Sequence, residues 1–193
     1  MKLQQGKIVN IQQGSDEWSE LRAKRFTASE AAAAMGQHKY MSRNDLLRQK
    51  ATGLVPEVSA HQQRIFDDGH RAEASSRTLV EAIIQDDLYP IVLDDEDGGF
   101  LASMDGLTMC GAVGFEHKWL SADLSAQIDA GNLDEHYLIQ LDQQFALSGA
   151  EKIIFVGSDG TEKNFKYLWI ERDESRFAAV EAGWLHQRQP SAQ

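Results

Sequence analysis

The sequence predicts an α/β domain in which helices flank a central sheet of mixed strand directions. Two observations lead to this fold class. Segments with helical spacing of apolar residues and with capping residues fill the first 84 positions and return after residue 132. Elsewhere, short apolar segments alternate with turn residues, as strands do. No repeat, low-complexity tract or linker divides the chain, so residues 1–193 are interpreted as one domain.

Capping residues predict where the first helices begin. Ser15 can cap a helix that carries two acidic residues in its first turn. Thr27 and Glu30 have the spacing of a capping box, which would open an alanine-rich helix ending at Gly36. Ser42 is predicted to cap a third helix.

A long helix is predicted over residues 59–84. Its apolar residues Ile65, Leu79 and Ile83 are the expected core contacts. Gly69 interrupts the pattern and is a point where the helix can bend.

The second half of the chain combines strands with two further helices. A helix over residues 133–148 places Gln140 and Gln144 on a different face from its apolar residues, and Asp173 can cap the last helix. Strands are predicted over residues 89–93, 100–103, 115–120, 152–156 and 165–170.

Composition excludes several classes of protein. Hydrophobic residues make up 42% and charged residues 25% of the chain, as in ordinary globular proteins. No apolar run approaches the roughly 20 residues of a membrane helix, and no signal peptide is apparent. Cys110 is the single cysteine, which fits a reducing cytoplasm, and no Cys/His spacing suggests zinc.

The charge distribution is more informative than the net charge of −11. Most acidic residues lie beyond residue 50, whereas the first fifty residues are net basic. Such segregation allows a basic surface beside an acidic exterior. The alternative is an acidic protein with no nucleic-acid partner.

Asp105, Glu116 and Lys118 form the strongest candidate site. In an extended segment, Glu116 and Lys118 point to the same side, while His117 points to the other. Two neighbouring carboxylates suit a hard cation, and an ammonium beside them can hold the attacking water in phosphodiester cleavage. Alone, this pattern also describes a solvated strand face.

A second candidate site is an anion-binding site near Ala28. The start of the predicted alanine-rich helix offers free N–H groups to a phosphate, and Ser29 adds a hydroxyl. Arg22 and Arg25 lie just upstream. The alternative is that Glu30 folds back onto the helix start, which then binds nothing.

Six blocks, in order, resemble the lambda-exonuclease-type (YqaJ-like) viral recombinase nucleases. The resemblance implies a single nuclease domain with the restriction-endonuclease-like, PD-(D/E)XK core. The blocks are residues 13–22, 26–30, 69–73, 102–106, 116–118 and Gln140.

The same resemblance implies a role for each site residue. Asp105 and Glu116 would be the principal metal ligands, Lys118 would act on the water, and Glu73 would be an auxiliary catalytic carboxylate and ligand. His117 would contact the metal through its backbone carbonyl. The positions implied to bind a terminal DNA 5′-phosphate are Arg22, Ser29, Ser103 and Gln140.

Three residues near these motifs have other interpretations. Glu73 can equally form a helix-surface pair with Arg77. Asp95 lies where the family can place a further acid, but a solvated turn is the favoured interpretation. His70, one helical turn before Glu73, is expected to be structural.

The activity implied is Mg²⁺-dependent 5′→3′ digestion of one strand at double-stranded DNA ends, leaving 3′ overhangs for phage-type recombination. Mn²⁺ is the expected substitute ion. The implied partner is a single-strand annealing protein, the assembly a homotrimer, and the location the cytoplasm of a bacterial host. Two alternatives remain: an endonuclease on the same core, and a non-catalytic module that binds DNA ends or another protein.

Overall fold

In the described residues, seven strands form one mixed sheet. The computed structural model describes residues 3–53 and 59–185, the side chains of residues 60–63 excepted. The strands are β1 Lys7–Val9, β2 Phe26–Thr27, β3 Leu88–Asp95, β4 Phe100–Thr108, β5 Val113–Trp119, β6 Lys152–Ser158 and β7 Phe165–Glu171. The α-helices are α1 Asp16–Ala23, α2 Ala31–Ala34, α3 Arg43–Thr52, α4 Ala60–Ile84, α5 Ala122–Asp129, α6 Glu135–Ser148 and α7 Phe177–Leu185.

The sheet has the order β1-β3-β4-β5-β6-β7, and the short β2 pairs in parallel with β4. Strands β3, β4 and β5 are antiparallel neighbours, β5 and β6 are parallel, and β7 is antiparallel to β6. The prediction of a mixed sheet flanked by helices is therefore confirmed. No helix in the described ranges is both long and apolar enough to span a bilayer.

Two of the three predicted helix starts are confirmed. Ser15 accepts a hydrogen bond from the Trp18 N–H, and Ser42 caps α3 in the same way. The capping box at Thr27 is wrong, because the Thr27 hydroxyl donates to the Glu30 carboxylate at 2.6 Å and caps no backbone N–H. A short 3-10 turn, Ala28–Glu30, precedes the four-residue α2.

Helix α4 buries a different face from the one predicted. Ile65 and Ile83 are 53% and 42% exposed, and Leu79 is only half-buried. The buried face consists of small or β-branched residues at four-residue spacing, namely Ala72, Ser76 and Val80. The prediction was wrong because it followed hydrophobicity, whereas a helix that approaches a sheet closely needs small side chains.

Strand β4 is longer than predicted and changes the position of Asp105. This residue was expected at a strand end, but it lies inside β4, which continues to Thr108. The pairing of β4 with β5 covers only Gly106 with Phe115 and Leu107 with Gly114. Asp105 is thus located where the two strands separate.

Helix α6 packs one face into the core and presents a second face to the sheet. Leu141 and Phe145 are buried, and Leu138 packs against the core, as predicted. Gln140 and Gln144 lie on the other face, also as predicted. Helix α7 covers the outer side of α6 and places Val180 and Trp184 in the core.

Candidate active site

The carboxylate of Asp105 occupies the gap between β4 and β5. Beyond the last β4–β5 pair, the backbone N–H of His117 donates to Asp105 Oδ2 at 2.8 Å instead of to a strand neighbour. From α4, Arg77 Nε donates to the Asp105 backbone carbonyl at 2.8 Å. The separation of the strands therefore creates the place for this side chain.

Glu116 is the central buried carboxylate, only 3% exposed. Lys118 Nζ and Gln140 Nε2 both donate to its Oε1, each at 2.6 Å. Gln144 Nε2 donates to Oε2 at 2.7 Å. The expectation that Glu116 and Lys118 point to the same side of β5 is confirmed.

The charges of this cluster shift its pKa values. Burial, then repulsion from Glu116 and Glu73, raises the pKa of Asp105 well above its usual range. Burial lowers the pKa of Lys118, but the carboxylates of Glu116 and Asp105 outweigh it, so the net pKa is raised. Lys118 is therefore protonated at neutral pH, and it lies beside acidic side chains that repel one another.

One cavity of about 150 Å³ brings both predicted sites together. It contains all four residues expected to bind the 5′-phosphate as well as Asp105, Glu116 and Lys118. The residues that line it are Gln13, Trp18, Arg22, Thr27, Ala28, Ser29, Ser103, Asp105, Glu116, Lys118 and Gln140.

The anion side of the cavity is organised by a tryptophan that sequence reasoning missed. The Arg22 guanidinium lies 4.4 Å from the ring centroid of Trp18, and one of its nitrogens donates to Ser29 Oγ at 3.2 Å. Trp18 Nε1 donates to Ser103 Oγ at 2.8 Å. Burial lowers the pKa of Arg22, and Glu30 acts against that shift. The spacing of Trp18 and Arg22, one helical turn apart, was the available signal.

Arg25 lies outside the cavity lining. It forms a bidentate pair with Asp94, at 2.7 and 3.0 Å, instead of contributing to the anion side. The Glu30 carboxylate folds back to the Thr27 hydroxyl, at 2.6 Å, and lies 2.7 Å from Lys50 Nζ, but it forms no capping box.

The other predicted acids and His70 lie outside the cavity lining. Glu73 forms the alternative helix pair with Arg77. Its pKa is nevertheless raised, mainly by burial and also by repulsion from Glu116, while Arg77 acts to lower it. Asp95 is buried, so the solvated-turn interpretation was wrong; it accepts hydrogen bonds from Gln4 Nε2 and Gly98 N. His70 is exposed on α4.

The His117 imidazole points away from the cavity, as strand alternation requires. Its Nε2 lies 3.0 Å from Ser158 Oγ, which in turn contacts Ser76 Oγ at 2.5 Å. Burial is the main cause that lowers the pKa of His117 to about 4. Only the backbone of His117 therefore faces the acids.

The donor set fits a hard divalent cation. Among the described side chains, no three His, Cys, Asp or Glu are arranged to hold one ion. Asp105 and Glu116 are the carboxylates that line the cavity and would contact the ion, and Glu73 remains a predicted auxiliary ligand. Both supply oxygen, and their mutual repulsion is what a cation relieves. Gln144 Oε1, beside Glu116, is a buried acceptor that lacks a partner within the described chain.

Comparison with known proteins agrees with this geometry. A mixed sheet flanked by helices, with an acid and a Glu-x-Lys where two strands separate, is a restriction-endonuclease-like arrangement. The model of the YqaJ-like viral recombinase domain matches residues 17–151. The chain therefore belongs to the YqaJ-like viral recombinase family.

Solved structures of exonucleases share this fold. An alkaline exonuclease from Laribacter hongkongensis, LHK-Exo, is 25% identical with a TM-score of 0.73, over 90% of each chain. Its complex with dAMP gives 24% identity and the same TM-score and coverage. A phage-related exonuclease from Haemophilus somnus 129PT shares 13% identity and the fold, with a TM-score of 0.57 over 88% of this chain and 93% of its own. No curated protein matches the chain. Family and likeness together support a nuclease role on DNA.

Proposed function

We propose that this protein is a metal-dependent exonuclease that digests one strand of double-stranded DNA from its 5′ end and leaves a 3′ overhang. The observation that carries the proposal is the shared cavity. Acids and a lysine suited to phosphodiester cleavage lie in the same small space as an arginine and two serines suited to a terminal phosphate.

The form of the cavity favours a strand end over a continuous strand. Pairwise contacts link Trp18, Arg22, Ser29 and Ser103 on the anion side of the cavity. A strand that continued beyond this point would have to displace these contacts. A terminal 5′-phosphate can instead stop at Arg22, which places the next phosphate towards Asp105 and Glu116.

The side chains divide the work of cleavage. Asp105 and Glu116 would hold Mg²⁺, or Mn²⁺ in its place, which neutralises phosphate charge and lowers the pKa of a bound water. Gln140 and Gln144 fix the Glu116 carboxylate by hydrogen bonds. Lys118, protonated at neutral pH, is suited to orient the attacking water and to balance charge on the phosphate.

Further parts of the proposal derive from the family. The complex of LHK-Exo contains dAMP, and a 5′-mononucleotide is the product that our proposed reaction releases. A single-strand annealing protein, a trimeric assembly and a role in the host cytoplasm also belong to the proposal.

Lys118→Ala tests the chemistry. We expect the purified wild-type protein to digest linear but not covalently closed circular plasmid in Mg²⁺. Because Lys118 contacts Glu116 and would face the reacting phosphate, Lys118→Ala should slow digestion by about 100-fold or more while DNA binding persists. The matched control is Lys163→Ala, at an exposed position outside the cavity.

Each other outcome has a separate meaning. Cleavage of both plasmids would indicate an endonuclease, and cleavage of neither would indicate a binding module. Full activity of Lys118→Ala would contradict the proposed role of the lysine.

A further inference from the structure

A loop that is linked to α6 by an ion pair presents an exposed tyrosine near the active site. In residues 37–42, Lys39 Nζ lies 2.6 Å from Asp134 Oδ2, next to the start of α6. His38 Nδ1 accepts hydrogen bonds from the backbone N–H of Tyr40, at 3.1 Å, and of the following residue, at 3.0 Å. Tyr40 is nevertheless 91% exposed. An aromatic side chain held out by an anchored backbone is suited to meet a ligand.

Helix α6 connects this loop to the catalytic acids. Gln144, Gln140 and His136 lie at successive four-residue intervals and so share one helix face. The two glutamines contact Glu116, and His136 lies one turn further towards the start of the helix. Its ring centroid is 6.3 Å from that of His38. Lys118 lies close enough for its charge to contribute, after burial, to a lowered pKa of both histidines.

The cluster is aromatic and uncharged at neutral pH. His38 is edge-to-face with Tyr40, with ring centroids 6.1 Å apart, and His136 lies against Tyr137 at 3.8 Å. Because burial lowers both imidazole pKa values, the two histidine rings are neutral at pH 7. The His136 side chain is only 14% exposed, so Tyr40 supplies the exposed flat surface of the cluster. Such surfaces stack on nucleobases without regard to sequence.

The position of the cluster indicates which nucleotide it meets. Gln143 Nε2 donates to the Phe26 backbone carbonyl at 2.7 Å, so the later half of α6 lies beside β2 and the anion side. His136 is two helical turns from Gln144, about 12 Å along the axis. Glu116 contacts Gln144 and Gln140 and so lies between the anion side and His136. A strand that begins at Arg22 would therefore reach the cluster only after it passes Glu116.

We propose that Tyr40, with His38 and His136, forms a stacking site for the base of the second nucleotide, on the 3′ side of the bond to be cut. This inference rests on the proposed function. The site would hold the strand in register after each cut, because the second nucleotide becomes the next terminal one.

A fluorescent base analogue tests the proposal. Duplexes with a 5′-phosphate carry 2-aminopurine either at the second or at the eighth nucleotide of the digested strand. They are mixed with wild-type protein in Ca²⁺ in place of Mg²⁺, to slow cleavage. We expect the probe at the second position to be more strongly quenched by wild-type protein than by Tyr40→Ala, and the probe at the eighth position to be equally fluorescent with both.

Kinetics supply the second measurement. Loss of one base–aromatic stack should raise the KM of Tyr40→Ala in Mg²⁺ by about tenfold, with Tyr40→Phe close to wild type. The control is Tyr167→Ala, which removes another exposed tyrosine, on β7. Because Tyr40 is almost fully exposed, Tyr40→Ala should fold normally, as circular dichroism can verify.

The outcomes separate this inference from the proposed function. If wild-type protein digests linear DNA but Tyr40→Ala has unchanged quenching and KM, the stacking site is wrong and the exonuclease stands. If wild-type protein digests no DNA, the proposed function fails first, and the inference fails with it.

Discussion

At the scale of single residues, the site depends on how the buried Glu116 carboxylate is paired inside the protein. A buried carboxylate is unfavourable unless hydrogen bonds and an opposite charge replace its water. Lys118 supplies the charge, and Gln140 and Gln144 supply two neutral donors. Four residues from two elements therefore form one unit, and their effects on activity should not be additive.

Arg22 should determine the preference for phosphorylated ends. Its half-buried guanidinium is positioned by Trp18 and Ser29, so a terminal phosphate can replace the water it has lost. Wild-type protein should digest 5′-phosphorylated duplexes at least tenfold faster than 5′-hydroxyl duplexes, and Arg22→Ala should remove most of that difference. The control is Arg25→Ala, because the Arg25 side chain pairs with Asp94 outside the cavity. Equal wild-type rates on both ends would eliminate the phosphate site.

His117 should make stability depend on pH. Burial lowers its pKa in the folded protein from 6.5 to about 4. His117 is therefore protonated at a higher pH in the unfolded chain than in the folded protein. The free energy of unfolding falls as pH decreases from about 6.5 to about 4. The total loss corresponds to about 3 kcal/mol.

His117→Gln isolates this contribution. A glutamine can still reach Ser158 but does not titrate, so the other titrating groups cancel in the comparison. Urea unfolding at pH 7 and pH 4.5 should show a larger loss of the free energy of unfolding for the wild type than for the variant. Parallel losses would show that His117 is not the cause.

Sequence reasoning identified most of the cavity lining but not the contacts within it. Strand alternation alone placed Glu116 and Lys118 on one side, the predicted helix start indicated Arg22 and Ser29, and the resemblance added Ser103 and Gln140. Trp18 was missed because its role depends on Ser103, which is distant in sequence and adjacent only after folding. Periodicity and capping rules describe neighbours in sequence, so they cannot predict contacts between distant segments.

At the scale of elements, helix α4 packs closely against the sheet because its buried side chains are small. Its buried face of Ala72, Ser76 and Val80 lets the backbone approach the sheet. A Cβ added at Gly160, in the turn after β6, would lie 2.9 Å from Ala72 Cα. The same helix carries Arg77, which holds the Asp105 backbone, so the packing of α4 supports the site.

Gly160→Ala should therefore destabilise the protein. The residue has a φ of +90°, where alanine is strained, and its new Cβ would also press against α4. Gly111→Ala is the matched control, since its φ is +76° but nothing lies within 4 Å of the new Cβ. We expect Gly160→Ala to cost about 1–3 kcal/mol more than the control in thermal or urea unfolding. Equal losses of stability in the two variants would mean that α4 can shift to accommodate the new Cβ at no cost.

The predicted elements failed where tertiary packing decides. Strand β4 continues past Asp105 because β3 pairs with it as far as Thr108, a contact that no local pattern in β4 reveals. The three-residue β1 and two-residue β2 were not predicted, since segments so short have no detectable alternation. The caps at Ser15 and Ser42 were predictable because capping is a local interaction.

At the scale of the whole molecule, the net charge of −11 opposes binding to DNA. The basic residues of the first fifty positions do not fully offset this repulsion of DNA, because several of them are already paired with acids. Arg25 pairs with Asp94, Lys50 with Glu30, and Lys39 with Asp134. Among the described residues, these ion pairs leave fewer cations free to hold a single subunit on DNA between cuts.

A closed ring would remedy this weakness, and we expect a homotrimer that encloses the duplex. Three-fold closure requires a heterologous interface, in which one patch meets a different patch on the next subunit. Light scattering coupled to size exclusion should give about three times 21.6 kDa at micromolar concentration. A monomer both free and on DNA would contradict the ring without affecting the nuclease proposal.

The parallel pairing of β2 with β4 has a consequence for the order of folding. Strands β3, β4 and β5 are neighbours along the chain, so Asp105 and Glu116 are brought together by short loops. Phe26 must instead find Phe100, and closing so long a loop costs on the order of 2 kcal/mol more in chain entropy. Arg22 and Ser29 flank that pairing on either side. We expect a nascent chain to assemble its acids first and to acquire the place for a DNA end last.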